Sequence, residues 1–184
     1  MSAEFAQWSL DAIRDEGASL SWLEEQRFDW TTTTSFALEQ ILQGKTIILI
    51  TDEKRKWFEN YILSTINSEN LDRPLLPIIS IDGIYSHYNN IEGGDMIDLV
   101  DDMLSLSYKD NYFIWYIGRG DDKRSDMAKR RSNSYFWVFD EDLPNAFPLK
   151  SYDKLLDIKL IQLYKLFDAS LNSAMFGEVD VVST

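Results

Sequence analysis

Four short runs along the chain are continuously apolar and rich in β-branched or aromatic residues: Thr46–Thr51, Leu76–Ile81, Tyr112–Ile117 and Tyr135–Phe139. Each is too short for a helix, and hydrophobicity without alternation marks strands covered on both faces, as in a parallel sheet. A fifth run, Ala146–Leu149, contains Pro148, which suits an edge position. Between the runs, apolar residues recur at helical spacing. Asp52 is placed to cap a helix carrying Trp57, Tyr61, Ile62 and Ile66, and Asp95–Leu106 and Asp122–Arg131 supply two more. Ahead of the first strand, helices are expected around Ser9–Asp15, Leu20–Phe28 and Ser35–Gln43, the last stopping at Gly44. Strand–helix alternation with right-handed crossovers predicts a Rossmann-like, three-layer α/β/α sandwich around a parallel sheet of four to five strands. No repeat, low-complexity tract or Pro/Gly-rich linker divides residues 1–184, which read as one domain.

The C-terminal helix, expected from about Ser151 to Phe176, carries more apolar surface than a sheet-covering helix needs. Leu155, Leu156, Leu160, Leu163, Tyr164, Leu166, Phe167 and Leu171 fill about half its circumference, with Ile158 and Ile161 beyond them. A stripe of about 100° is sufficient to cover a sheet. The surplus points to a second partner, most simply the same helix in another subunit. Leu156, Leu160, Leu163, Tyr164 and Phe167 are the candidate contacts. Packing against the N-terminal helices would bury the same surface.

Composition narrows the chemistry. The chain has 184 residues and a net charge of −13, with a sequence pI near 4.4. Bulk phosphate binding is disfavoured because a nucleic-acid binder needs a positive footprint. Absence of cysteine removes disulfides, thiolate metal sites and a Cys nucleophile, and a single histidine, His87, removes any site needing two. No stretch has the length and apolarity of a membrane span or signal peptide, so a cytoplasmic location is expected. Aromatic residues make up 14% of the chain, which favours large contact surfaces.

In a doubly wound sheet, ligands sit beyond the carboxyl ends of the strands. After the first strand come Thr51, Asp52, Glu53, Lys54, Arg55 and Lys56, with no glycine to bring backbone N–H groups to a phosphate. After the third come Gly118, Arg119, Gly120, Asp121 and Asp122, read as a turn with capping aspartates. Asp95, Asp98, Asp101, Asp102 and Asp140–Asp142 read as solvated acidic faces. Lys123, Arg124, Lys129, Arg130 and Arg131 form the one basic cluster, read as a helix C-terminus neutralised by nearby acids. His87 lies in a polar loop, Tyr85–Asn90. No catalytic residue, metal site or cofactor site is predicted.

Several aromatic-rich stretches carry a resemblance. Arg55–Ser64 (RKWFENYILS), Arg73–Leu76 (RPLL), Ser151–Phe167 (SYDKLLDIKLIQLYKLF), Trp22-Leu23-Glu24 and Phe136–Phe139 are similar to the HobA family, over nearly the whole chain and most weakly about Asp82–Ser107. The resemblance implies a sugar-isomerase (SIS) fold, a homotetramer, and binding to the N-terminal domains of the replication initiator DnaA to promote its assembly at the origin, the role of the similar DiaA. It implies no catalysis. Phosphosugar-binding SIS domains carry a Gly/Ser-rich loop after the first strand, from which Thr51–Lys56 departs; an isomerase or sugar-phosphate sensor is the alternative reading. Partner surfaces hold aromatic or Met anchors outside the core. Met175 and Phe176, which close the last helix, are one candidate surface, and Trp22, Arg27, Phe28 and Trp30 a second.

Overall fold

The computed structural model describes residues 2–69, 72–88 and 94–181. Helix α1 (Ala3–Asp15) and two 3₁₀ turns lead into α2 (Arg27–Leu42) and then β1 (Thr46–Thr51), α3 (Lys56–Thr65), β2 (Ile78–Ser80) and the single turn α4 (Ile81–Ile84). After these come α5 (Gly94–Tyr108), β3 (Tyr112–Arg119), α6 (Asp126–Lys129), β4 (Tyr135–Phe139), β5 (Ala146–Leu149) and α7 (Leu156–Met175). All five strands are parallel, in the order β2-β1-β3-β4-β5. The chain leaves β1 toward β2 and returns on its other side as β3, so the topological switch point lies between β1 and β3.

Why the strands read as continuous apolar runs is plain from their two faces. Ile47, Leu49, Phe113, Trp115, Ile117, Tyr135, Trp137, Phe139, Phe147 and Leu149 point into one core. Their alternates Ile48, Ile50, Tyr112, Ile114, Tyr116 and Phe136 point into the other. Helices α1, α2, α3 and α7 cover the first face, and α4, α5 and α6 the second. The edges are blunt. β2 has three residues, and β5 carries Pro148. The Leu149 carbonyl accepts from Asp140 N–H at 3.1 Å, so alternation along the strand turns the donor-less Pro148 nitrogen outward.

Most elements stand where the pattern puts them, and the departures have local causes. β2 is shorter than Leu76–Ile81, and β3 runs two residues past Ile117. Asp122–Arg131 is a 3₁₀ turn and one helical turn, capped by Asp122, whose Oδ1 accepts from Arg124 N–H at 2.9 Å. The expected helix Leu20–Phe28 is absent; residues 17–23 form 3₁₀ turns, and α2 begins at Arg27, eight residues before Ser35. The run Thr31–Thr34 is a poor helix former on propensity alone. Here tertiary burial and bonds back to the preceding turn override it: Thr33 Oγ1 donates to Asp29 O at 2.7 Å, Ser35 Oγ to Thr32 O at 3.0 Å, and Thr34 Oγ1 pairs with Tyr135 OH at 3.0 Å. None of the described helices is long and apolar enough to cross a membrane.

Candidate functional site

At the switch point the loops after β1 and β3 meet, and the chain fills the space between them with its own charges. Asp52 caps the turn after β1, accepting from Arg55 N–H at 3.1 Å, and its second oxygen accepts from Arg119 N–H at 2.8 Å. That oxygen is also ion-paired with the Arg55 guanidinium, which lies 4.5 Å from the centre of the Phe139 ring. Both side chains are buried. Gly118 is required by this closeness: a Cβ there would stand 2.8 Å from Asp52 Oδ2 and 2.7 Å from Tyr116 OH.

A second set of bonds closes the neighbouring strand ends. The buried Glu59 carboxylate accepts from Thr51 Oγ1 at 2.8 Å, Ser80 Oγ at 2.5 Å and Lys56 Nζ at 2.5 Å. Lys56 also pairs with Asp82, which accepts from Arg124 Nη2 at 2.9 Å. These carboxylates and cations neutralise one another beyond the carboxyl ends of β1 and β2, where a doubly wound sheet takes its ligands. The arrangement holds no nucleophile–base pair and no glycine-rich cradle. Among the described residues no cluster of three or more His, Asp or Glu is placed to hold a metal.

Burial opposes ionisation of Asp82, yet the hydrogen bonds from Lys56 and Arg124 outweigh it and hold the carboxyl below its usual range. A carboxyl whose folded pKa is depressed stabilises the fold above its unfolded pKa, near 3.9, and that contribution fades as pH falls through the lower folded value. Urea unfolding should therefore lose stability in acid below about pH 4, and Asp82→Asn should flatten that slope. An unchanged slope in Asp82→Asn would assign the acid sensitivity to other carboxyls.

Farther along the same sheet end, a groove of about 590 Å³ lies between Trp22, Gln26, Asp140, Glu141, Asp142, Lys150, Asp153 and Lys159. Its carboxylates repel phosphate. Asp140 adopts a positive φ of 60° to end β4 and accepts from Ser151 N–H at 2.9 Å, and Asp153 accepts from Leu155 N–H at 2.9 Å in the turn that leads into α7. Four of the five basic residues are paired, Arg124 with Asp82, Lys129 with Glu141, Arg130 with Asp98 and Arg131 with Asp101, and Lys123 has no ion pair among the described residues. His87 is exposed, its ring 5.9 Å from that of Tyr85; Asn89 and Asn90 of its loop lie outside the described residues.

The candidate contact residues divide sharply. Phe176 and Phe28 are exposed, at 55% and 59%. Arg27 lies over the Phe28 ring at 4.3 Å and donates to Glu24 O at 2.9 Å. Met175 is half-buried against the core, and the tail beyond it turns away, with Val179 and Val181 buried and Ser2 N–H donating to Val181 O at 3.3 Å. Residues 182–184 lie outside the described part. Trp22 is half-buried and pinned to α7: its indole donates to Gln162 Oε1 at 3.1 Å, and Lys159 Nζ lies 4.4 Å from its ring centre.

Two expectations need correction. Trp30 is fully buried, its ring packed on Trp137 and Phe147, and offers nothing to a partner. Leu156, Leu160, Leu163, Tyr164 and Phe167 are likewise buried inside their own chain, because α1, α2 and α3 cover the face of α7 that the sheet does not. The apolar positions that α7 and its approach leave exposed are Tyr152, Leu155 and Ile158. Ile158 was legible as surplus on the helical wheel; a wheel alone does not say which arc meets the core.

Comparison with known proteins places these features. The model of the family described as HobA, DNA replication regulator, matches residues 1–181. The chain is 29% identical over 181 residues to the DNA replication regulator protein HobA of Helicobacter pylori, covering 95% of this chain and 97% of that protein. The fold is similar to the crystal structure of a HobA–DnaA (domain I–II) complex from H. pylori, with a TM-score of 0.75, 30% identity, and coverage of 97% of this chain and 99% of that one. It is equally similar to a crystal structure of H. pylori HobA, with a TM-score of 0.75 and 29% identity over 98% of this chain and 99% of that one.

Proposed function

The chain belongs to the HobA family of DNA replication regulators, and from that premise we propose that it binds the N-terminal domains I and II of the replication initiator DnaA and promotes initiator assembly at the origin. It works in the cytoplasm as a homotetramer and without catalysis. The observation that carries this reading is the sheet end closed by Asp52, Arg55, Glu59, Lys56, Asp82 and Arg124. With the usual ligand position of the fold filled from within, function falls to the outer surface. The similarity to the HobA chain of a HobA–DnaA complex supplies the partner.

A tetramer holding several DnaA copies side by side raises their effective concentration without new chemistry. Phe176 and Met175, with Phe28 and Arg27, are the proposed initiator contacts, and Trp22 a positioned neighbour. Leu155 and Ile158 take the subunit role first expected of the buried face of α7. Light scattering after size exclusion, alone and with DnaA domains I–II, tests the whole reading: a tetramer that gains mass on mixing supports it, and a monomer with no gain overturns it. Phe176→Ala should weaken binding about tenfold, or ~1.4 kcal/mol, as truncation of an aromatic anchor does, while leaving the mass of the free oligomer unchanged. Unaltered affinity would remove Phe176 from the interface.

A further inference from the structure

Helix α5 buries Ile97, Val100 and Leu104 against the sheet face opposite α1, α2, α3 and α7. Of its other apolar residues, Met103 and Tyr108 pack partly against the same core, and Met96, Leu99 and Leu106 do not. Leu99 is 61% and Leu106 83% exposed; Met96 is also exposed, and Met103 is half-buried. The positions 96, 99, 103 and 106 are spaced three, four and three residues apart, the a/d rhythm of a coiled-coil seam. Tyr85 extends the stripe at its start, its hydroxyl 3.8 Å from Met96 Sδ. On the helical wheel Asp95, Asp98 and Asp102 form the outer edge of the stripe. Asp98 is paired with Arg130, whereas Asp95 and Asp102 are exposed and have no ion-pair partner among the described residues.

We infer that this stripe is a docking surface for a basic amphipathic helix of a partner protein, one that sets apolar residues on Met96, Leu99, Met103 and Leu106 and Lys or Arg beside Asp95 and Asp102. Charge decides the occupant. A second copy docked on the same stripe would bring its own Asp95 and Asp102 beside these, and like-charge juxtaposition is costly at an interface. A basic helix gains from the same edge. Two methionines in a four-residue seam suit a partner whose apolar side chains vary, because Met is unbranched and adaptable. The surface lies across the sheet from Phe176 and Phe28, so both can be occupied together. It is independent of the initiator assignment.

The probe is a synthetic 21-residue helix with Leu at a and d and Lys at e and g, read by fluorescence anisotropy against a scrambled peptide of the same composition. The full chain should bind the amphipathic peptide at least about tenfold more tightly than the scrambled one. Leu99→Ser/Leu106→Ser should lose about tenfold, and Asp95→Asn/Asp102→Asn about two- to threefold with a weaker salt dependence. Equal binding by the Leu99→Ser/Leu106→Ser variant overturns the inference. A fall in the light-scattering mass of that variant without peptide gives the stripe to a second copy and overturns it as well. Should the variant not fold, amide exchange on the unaltered chain decides: peptide-dependent protection across 95–107 supports the inference, and protection confined elsewhere overturns it.

Discussion

Asp52→Ala is expected to destabilise the fold by about 3–5 kcal/mol, the range seen when one partner of a buried ion pair is removed. The loss has three parts. Arg55 keeps its charge in a buried position, over the Phe139 ring, without its counterion. The Arg55 N–H loses the cap that starts the turn after β1, and the Arg119 N–H loses its acceptor at the end of β3. Urea unfolding at neutral pH checks the magnitude. Replacing both partners, Asp52→Leu with Arg55→Met, should recover much of the loss, since a buried pair exchanged for apolar side chains of similar volume is often neutral. A double variant as unstable as Asp52→Ala would locate the cost in the two backbone N–H groups and not in the stranded charge.

Trp115→Ala should cost a similar ~3–5 kcal/mol, for a different reason. Trp115 sits on the central strand β3 with ring centroids of Phe167 at 4.7 Å, Trp137 at 5.2 Å and Tyr135 at 5.6 Å. Its neighbours are themselves large rings held by the sheet and by α7, so they have little freedom to collapse into the space left behind. Trp115→Phe should be milder, because the cost rises with the volume vacated and phenylalanine vacates less of it. The Trp115 indole N–H is buried and finds no acceptor among the described residues, and phenylalanine removes that unmet donor while keeping most of the apolar contact. Thermal or urea unfolding of the two variants side by side measures the difference; equal losses would show that shape at this position outweighs the unmet donor.

The sheet was legible because burial on both faces leaves a simple trace. Ile47 to Ile50 alternate between two cores, so no polar residue interrupts them. Helix α2 was half-hidden for the opposite reason. Thr31–Thr34 argue against a helix locally, and the bonds that favour one include the contact of Thr34 with Tyr135, a residue on a distant strand. The lack of a phosphate cradle was legible, since Thr51–Lys56 has no glycine, but the closing of the sheet end was not: Asp52 and Arg55 are buried, and the pairing of Lys56 with Asp82 or of Arg124 with Asp82 joins loops far apart in sequence. Contact surfaces were the least legible. Apolar content predicts that α7 has spare surface; it takes the positions of α1, α2 and α3 to show that Leu160 and Phe167 are inside and Leu155 and Ile158 outside.

The blunt sheet edges decide what kind of assembly this protein tolerates. A three-residue strand on one side and a proline facing outward on the other leave a poor template for another chain's backbone. Copies or partners are therefore left to join through side chains and not through shared strands. Such joints dissolve and re-form without any strand being unzipped. The same edges guard a crowded, aromatic-rich chain against growing into fibres.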